Sequence, residues 1–304
     1  MDFRNIGSLK VSAIGLGCNN FGWRVDARAT AETVDAAIAH GINFFDTADI
    51  YGGGQSEEYL GRALGARRKD VIVATKFGMK MDEARQGAHP DYVKRAASDS
   101  LRRLGTEYID LYQLHQPDPK TPIGDTLGAL DELVREGKVR EIGCSNFSVE
   151  QLREAERASG GRVRFVSVQN QYSLMHRDPE QGVLAECERA GIAFLPFFPL
   201  ASGLLTGKYR PGAEPPPGSR AASGWGPKVF TPEHVAAAER LRQFAEGSGH
   251  TLLDLAFSWL LSKPAVASVI AGAKSADQVT GNASMGTWQL TPNELAEVDR
   301  ILAG

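Results

Sequence analysis

Short apolar runs alternate with longer amphipathic segments along most of this chain, and this alternation restricts its possible folds more than any other feature of the sequence. Each run is rich in β-branched or aromatic residues and too short for a buried helix, as expected for strands of a parallel sheet covered on both faces. Eight strands are predicted, at residues 13–16, 42–46, 71–76, 108–114, 139–144, 165–169, 192–196 and 267–270.

The segments between these runs carry the signals of helix starts and ends. Several of them close at a glycine that suits a left-handed C-cap, and Ser148 is followed three residues later by glutamine, the spacing of a capping box. The predicted caps or first residues are Thr30, Ser56, Pro90, Ser148 and Thr231.

Eight strands that are each followed by a helix predict an α/β fold, a single closed (β/α)8 or TIM barrel that spans residues 1–304. A doubly wound sheet is disfavoured, because Asn20 stands where the phosphate-binding fingerprint needs its third glycine. Residues 3–12 are predicted to form a hairpin on the barrel floor. Residues 203–230 contain too much Pro and Gly for a regular element, and we expect a long loop over the C-terminal face.

The composition excludes several classes of protein. The chain has 34 Lys and Arg and 37 Asp and Glu, which gives a net charge of −3. No basic tract is long enough to neutralise a nucleic-acid backbone. The three cysteines, Cys18, Cys144 and Cys187, have neither disulfide-framework nor zinc-site spacing. No segment is apolar over the roughly 20 residues that span a bilayer, and the N-terminus lacks a signal-peptide pattern. We therefore expect a cytoplasmic protein without nucleic-acid, membrane or metal partners.

Four ionisable side chains fall at or just beyond the ends of successive predicted strands: Asp46, Tyr51, Lys76 and His115. Taken singly, each has a structural interpretation as a loop ligand, a packed ring, a solvated charge or a satisfied histidine. Taken together they predict one site, because strand ends of a barrel converge at its C-terminal face. A lysine that ends an apolar strand also needs a counter-charge, and Asp46 is the nearest candidate.

This set of groups suits proton transfer. We expect the ammonium of Lys76 to lower the pKa of Tyr51 from about 10 by a unit or more, which would make the phenol a usable general acid. His115 is suited to hydrogen-bond a carbonyl oxygen. The sequence has no nucleophile beside a base and no metal-ligand spacing, so protonation of a carbonyl during hydride transfer fits better than hydrolysis.

The motifs FFDTADIYGGGQSEEYLGRAL, VIVATKFG, SLRRLGTEYIDLYQLHQPD, GKVREIGCSNFS, VQNQYSL, PFFPLASGLLTGKY and VIAGAKSADQV cover nearly the whole chain. In order and spacing they resemble the aldo-keto reductase superfamily. The GGGQSEE and PLASGLLTGKY segments resemble its bacterial and potassium-channel β-subunit-like branch more closely than the aldose-reductase type.

The resemblance implies a barrel that binds NADPH and reduces an aldehyde or ketone. Tyr51 would be the general acid, tuned by Asp46 and Lys76, and His115 would position the carbonyl. Nicotinamide would contact Ser145, Asn146 and Gln169 and stack on Phe197. Phe198 stands where the family usually has serine, so there only backbone contacts are expected. The remaining residues implied for this half of the cofactor are Pro199, Leu200, Ala201 and Gly203.

At the other end of the cofactor, the resemblance implies that Lys208, Arg220 and Lys274 bind a 2′-phosphate, which favours NADPH and leaves NADH use open. The other implied adenosine-side residues are Gly272, Gln278 and Asn282. From position alone, a pocket for an apolar or aromatic carbonyl compound is predicted beside Tyr51 and His115, with the rim residues Asn20, Phe21, Trp23, Phe77 and Trp225.

Two alternatives to the enzyme use the same fold. One is a cofactor-binding, redox-sensing module that acts through a protein partner, and the other is a barrel with a vestigial site. The complete set of four ionisable residues favours the enzyme. Its substrate, its preferred direction and its oligomeric state are left open by the sequence.

Overall fold

The computed structural model describes residues 1–223 and 229–303, and within them eight parallel strands form one barrel-shaped sheet. The strands are β1 (Phe3–Ile6), β2 (Leu9–Ser12), β3 (Ile14–Gly17), β4 (Phe44–Asp46), β5 (Ile72–Phe77), β6 (Ile109–Leu114), β7 (Val139–Ser145), β8 (Ser167–Gln171), β9 (Ala193–Phe197) and β10 (Val269–Gly272). In the barrel they follow the order β10, β3, β4, β5, β6, β7, β8, β9. Hydrogen bonds from Phe194 N to Ala265 O (2.7 Å) and from Ala267 N to Phe194 O (3.0 Å) join β9 to the segment that enters β10.

Ten α-helices accompany the strands in the described residues, and their apolar faces form the main core with the outward side chains of the sheet. They are α1 (Ala27–Ala39), α2 (Gln55–Leu64), α3 (Pro90–Leu104), α4 (Ile123–Arg135), α5 (Val149–Ser159), α6 (Val183–Ala190), α7 (Pro232–Gly247), α8 (Leu252–Leu261), α9 (Ala276–Ala283) and α10 (Pro292–Ala303). This arrangement confirms the predicted (β/α)8 barrel. None of the helices in residues 1–223 and 229–303 is long and apolar enough to cross a membrane.

Two predicted helix starts are wrong by one to several residues. Helix α1 begins before Thr30, because the side chain of Asp26 accepts a hydrogen bond from Ala29 N (2.8 Å) and caps the helix. Helix α2 follows the left-handed Gly54, and the Ser56 hydroxyl donates to Cys18 O (2.8 Å) instead of capping.

The other three predicted starts agree with the structure. Helix α3 has Pro90 as its first residue. The capping box at Ser148 and Gln151 is present at the start of α5, with both reciprocal hydrogen bonds. Thr231 caps α7, and its side chain accepts from His234 N (3.2 Å).

The N-terminal hairpin closes one end of the barrel, as predicted. Strands β1 and β2 pair antiparallel, with Phe3 opposite Ser12 and Ile6 opposite Leu9. Ile6 and Leu9 are fully buried and form a second core with inward side chains of the barrel, among them Phe44. The strands therefore present their carboxyl ends at the opposite, open end.

The loop after β9 reaches the turn after β10. It begins with a short 3-10 helix, Ala201–Thr206, in which Ser202 and Gly203 have positive φ. Farther along, the carbonyl of Gly218 accepts a hydrogen bond from Lys274 Nζ (3.5 Å). This contact places the described part of the predicted long loop over the C-terminal face.

Candidate active site

A buried ion pair lies at the carboxyl ends of β4 and β5. Lys76 is fully buried, and its Nζ donates to Asp46 Oδ2 (2.6 Å) and to the carbonyl of Thr47 (2.9 Å). The second carboxylate oxygen, Asp46 Oδ1, accepts from Gln169 Nε2 (2.9 Å) and Gln113 Nε2 (3.3 Å). Both charges are thus desolvated but fully engaged, which fixes their relative position.

Tyr51 reaches this pair from the loop after β4. Its ring centroid lies 5.4 Å from Lys76 Nζ, and the His115 ring packs against it at 5.8 Å in an edge-to-face arrangement. The loop turns sharply after Tyr51, where Gly52 has a φ of 58° and a Cβ would lie 2.9 Å from the carbonyl of Phe21. Glycine suits this position best, because it adopts a positive φ and has no Cβ, and the loop can turn directly after Tyr51.

The electrostatics of Tyr51 differ from the expectation drawn from the sequence. Burial raises the pKa of Tyr51 above its usual value, Lys76 opposes that rise, and Asp46 adds to it. The expected net lowering by Lys76 is therefore wrong, because Asp46 neutralises the ammonium and the phenolate would be desolvated. Tyr51 is a phenol at neutral pH.

The other two groups have defined charge states at neutral pH. Burial alone would lower the pKa of Lys76, but Asp46 and Tyr51 together raise it, so this side chain is an ammonium. Burial, followed by the charge of Lys76, lowers the pKa of His115 to about 3. His115 is therefore a neutral imidazole, and its buried Nδ1 has no hydrogen-bond partner within the described residues.

The polar residues at the end of β7 are tied to the same network. Ser145 Oγ donates to the carbonyl of Gln169 (2.6 Å), and Asn146 Nδ2 donates to the carbonyl of His115 (3.0 Å). Asn146 also has a φ of 62°, which is uncommon for a residue other than glycine. The amide nitrogen of Gln169 points to Asp46, so this residue supports the ion pair in the structure.

Gln113 is a further polar residue at this site that sequence reasoning missed. It is the last residue but one of β6, is fully buried, and shares Asp46 Oδ1 with Gln169. The signal was available, because a glutamine in a buried strand needs a hydrogen-bond partner.

The predicted nicotinamide-side segment after β9 is strained. Phe197 ends β9, and its ring lies 5.3 Å from that of Phe198. Phe198, Ala201 and Ser202 all have positive φ values, between 44° and 59°. Pro199 is buried, and the carbonyl of Leu200 accepts from Gly203 N (2.8 Å). Backbone strain of this kind clusters at functional sites, because the surrounding structure must hold it in place.

Comparison with known proteins identifies the family to which this barrel belongs. A sequence profile of the Aldo/keto reductase family matches residues 13–303. The chain belongs to the aldo/keto reductase family. Family membership makes the protein an oxidoreductase of carbonyl substrates, the class predicted from the four strand-end residues.

Similar proteins agree with the resemblance found in the sequence. The aldo-keto reductase YhdN of Bacillus subtilis is 34% identical over 306 residues, which cover 97% of this chain and 91% of that protein. A probable voltage-gated potassium channel subunit beta of Arabidopsis thaliana is 31% identical over 317 residues, covering 99% and 97%. The solved structure of a glycerol dehydrogenase from Gluconobacter oxydans has a TM-score of 0.87 at 33% identity, and the match covers 99% of this chain and 95% of that one.

The basic residues predicted to bind phosphate in this aldo/keto reductase lie in two neighbouring segments. Burial, then Arg220, lower the pKa of Lys208. Burial, then Lys208, Arg24 and Arg220, lower that of Lys274. Like charges are therefore close together here, and the cluster includes Arg24, which was not predicted.

The remaining predicted residues on the adenosine side surround the start of α9. Gly272 ends β10, and Asn282 is a buried residue of α9. The side-chain oxygen of Gln278 accepts from Lys274 N (2.9 Å), while Gln278 N donates to the Ser275 cap (3.4 Å). In the structure Gln278 thus shapes the turn that carries Lys274.

The predicted rim residues of the substrate pocket differ in their burial. Phe21 and Phe77 are fully buried, so neither ring faces an open pocket, and Phe77 stacks on Tyr112 at 4.6 Å. Asn20 is buried too, and donates to the carbonyl of Ala273 (3.3 Å). Trp23 is 61% exposed. The predicted rim residue Trp225 lies outside the described residues.

In the part of the chain that the structure describes, no group of three or more His, Cys, Asp or Glu side chains could hold a metal ion. Cys18, Cys144 and Cys187 are buried free thiols.

Proposed function

We propose that this protein is an NADPH-dependent oxidoreductase that reversibly reduces an aldehyde or ketone to the alcohol, with Tyr51 as general acid. The observation that carries the proposal is the position of one phenol between a buried ammonium and a neutral imidazole. A proton donor, a cation that stabilises its conjugate base and a hydrogen-bonding group for the carbonyl thus face one point.

The residues present fit NADPH, which supplies a hydride when bound. The clustered charges of Lys208, Arg220 and Lys274 suit the phosphates of a dinucleotide, because a polyanion relieves their mutual repulsion. Phe197 offers an aromatic face to the nicotinamide, and Ser145 and Asn146 offer polar groups to its carboxamide. NADH remains a second candidate cofactor.

In the proposed reaction the Tyr51 hydroxyl donates its proton to the carbonyl oxygen. Lys76 stabilises the phenolate that remains, and Asp46 holds Lys76 charged and in place. Neutral His115 donates a hydrogen bond to the same carbonyl oxygen and orients it. In the direction of alcohol oxidation, the phenolate accepts the proton instead.

Replacing Tyr51 by Phe tests this assignment. We expect Y51F to lose carbonyl reduction by 100-fold or more, because general acid catalysis contributes roughly 10²–10⁴-fold. The dissociation constant for NADPH should change less than about threefold, since removal of one oxygen leaves the basic cluster of Lys208, Arg220 and Lys274 intact. The assay is nicotinamide absorbance with a panel of aldehydes, ketones and alcohols, and binding is followed by calorimetry.

The matched control is Tyr59→Phe, a change on the outer helix α2, where the Tyr59 ring packs under Arg62. It should keep full turnover. Retention of most activity by Y51F would contradict the general-acid role of Tyr51.

A second candidate function is a redox-sensing module that acts through a protein partner. It is favoured by the 31% identity to the potassium channel subunit beta over 99% of this chain. The same substrate panel discriminates the two, because a sensor of this kind would bind NADPH but turn over none of the carbonyl compounds.

A further inference from the structure

The turn after β3 packs against the turn after β10. Asn20 Nδ2 donates to the carbonyl of Ala273 (3.3 Å). A Cβ added to Gly272 would lie 2.9 Å from Asn19 Oδ1, so the two segments are in direct contact. The turn after β3 therefore lies beside the segment that carries Lys274.

Arg24 belongs to the turn after β3. Its backbone N–H donates to the carbonyl of Asn20 (3.0 Å), which fixes the turn. Its guanidinium lies 4.2 Å from the ring of Trp23, whose Nε1 donates to the carbonyl of Asn19 (2.8 Å). The charge of Arg24 is thus held over an aromatic face that is itself fixed in position.

Charge coupling links Arg24 to both phosphate-binding segments. After burial, Arg24 is the main cause of the lowered pKa of Arg220, and it also contributes to the lowered pKa of Lys274. Lys274 in turn contacts the loop of Arg220 through the carbonyl of Gly218. Three segments, after β3, β9 and β10, therefore bring cations to one place.

We propose that Arg24 is a fourth phosphate-binding cation, which contacts the 2′-phosphate of NADPH and selects NADPH over NADH. The inference rests on the proposed function. A phosphate monoester carries close to two charges and three acceptor oxygens, enough for donors from several segments. The charge of Arg24 acts on Lys274 and Arg220, the residues assigned to the 2′-phosphate, so we assign Arg24 to the same phosphate.

The test compares the dissociation constants of NADPH and NADH for Arg24→Met and a matched control. Arg28→Met removes the same charge from the exposed start of α1, where Arg28 pairs with Glu32. Loss of a charged phosphate contact should lower the NADPH preference of R24M about tenfold or more, mainly by weakening NADPH binding. R28M should keep the wild-type preference. Arg24→Lys should restore part of it, and Lys274→Ala should lower it as R24M does.

The outcomes separate the inference from the function on which it rests. If the wild type prefers NADPH while R24M and R28M differ less than twofold in their preference for NADPH over NADH, that result overturns only the role of Arg24. A wild type that binds both cofactors equally overturns the 2′-phosphate site and Arg24 with it, but leaves carbonyl reduction intact. A wild type that binds neither cofactor overturns the proposed function as well. Circular dichroism of each variant verifies that the fold is kept.

Discussion

Residue burial decides the chemistry of this site more than residue identity does. Lys76 is fully buried, yet it remains an ammonium because Asp46 lies 2.6 Å away. Asp46 in turn is held by the side chains of Gln113 and Gln169. Removing Lys76 would leave a buried carboxylate without its cation, which typically costs about 3–5 kcal/mol. The ion pair is therefore structural as well as electrostatic.

Asp49 is a second buried carboxyl in the same loop, three residues after Asp46. Burial, together with the charge of Glu57, raises its pKa to about 7, and Arg103 opposes the rise. Glu57 is itself engaged by Arg103 and Thr75. Because an unfolded aspartate titrates near 3.9, the folded state binds this proton more tightly than the unfolded state.

The contribution of Asp49 to the free energy of unfolding should therefore fall as the pH rises from about 4 to about 7, by up to roughly 4 kcal/mol. Asp49→Asn removes the titrating carboxyl, so the free energy of unfolding of D49N relative to that of the wild type should rise from pH 5 to pH 8. Urea denaturation at both pH values measures the difference. Asp70→Asn, at an exposed position, is the control. If D49N and the wild type differ in free energy of unfolding by the same amount at pH 5 and at pH 8, the raised pKa of Asp49 is refuted.

Among the elements, the turn from β3 into α1 does more than connect a strand with a helix. It carries Trp23 and Arg24 on the open face and ends at Asp26, which caps α1. Gly22 N donates to the carbonyl of Val25 (2.9 Å), so the turn is closed by its own hydrogen bonds. The cap residue Asp26 lies two residues after Arg24, so the same turn carries a cation of the cluster and starts the helix.

Asp26→Ala should reduce the free energy of unfolding by about 0.5–2 kcal/mol, because the N–H of Ala29 loses its acceptor. Glu32→Ala, which breaks an exposed pair on the same helix, should cost at most about 0.5 kcal/mol. Chemical denaturation of the two variants gives both values. Equal losses for D26A and E32A would show that the cap contributes nothing specific.

At the scale of the whole molecule, the N-terminal hairpin and the candidate active site lie at opposite ends of the barrel. The hairpin side chains Ile6 and Leu9 fill the closed end, while Asp46 and Lys76 lie at the open end. We propose that residues 1–304 form one domain, since the sheet joins the segment before β10 to β9 and the hairpin core contacts both halves of the barrel.

Leu9→Ala should therefore cost about 2–5 kcal/mol of stability and leave a single unfolding transition. Turnover under conditions where the variant is folded should stay close to that of the wild type. The matched control is Phe3→Ala on the same hairpin, because Phe3 is 45% exposed and its loss should cost far less. Two separate transitions in a calorimetric scan would contradict the single domain.

Local patterns determined the strands, the barrel, the hairpin and the four strand-end residues. Apolar periodicity reports which face of an element is buried, and a parallel barrel places every strand end at one face. The predicted boundaries differ by up to two residues at the strand starts, because apolarity begins before hydrogen bonding does. The predicted starts of α1 and α2 were wrong. In the structure the N-cap residues are Asp26 and Gly54, and not Thr30 and Ser56.

Tertiary structure alone decided the electrostatics of the site and the burial of the residues around it. The pKa of Tyr51 depends on how much water the fold excludes and on the distance between Lys76 and Asp46, and neither is written in local sequence. Phe77 stacks on Tyr112 of the neighbouring strand, and the segments of Arg24 and Lys274 meet through contacts between residues about 250 positions apart. Such contacts act through space, so residue patterns along the chain carry no record of them.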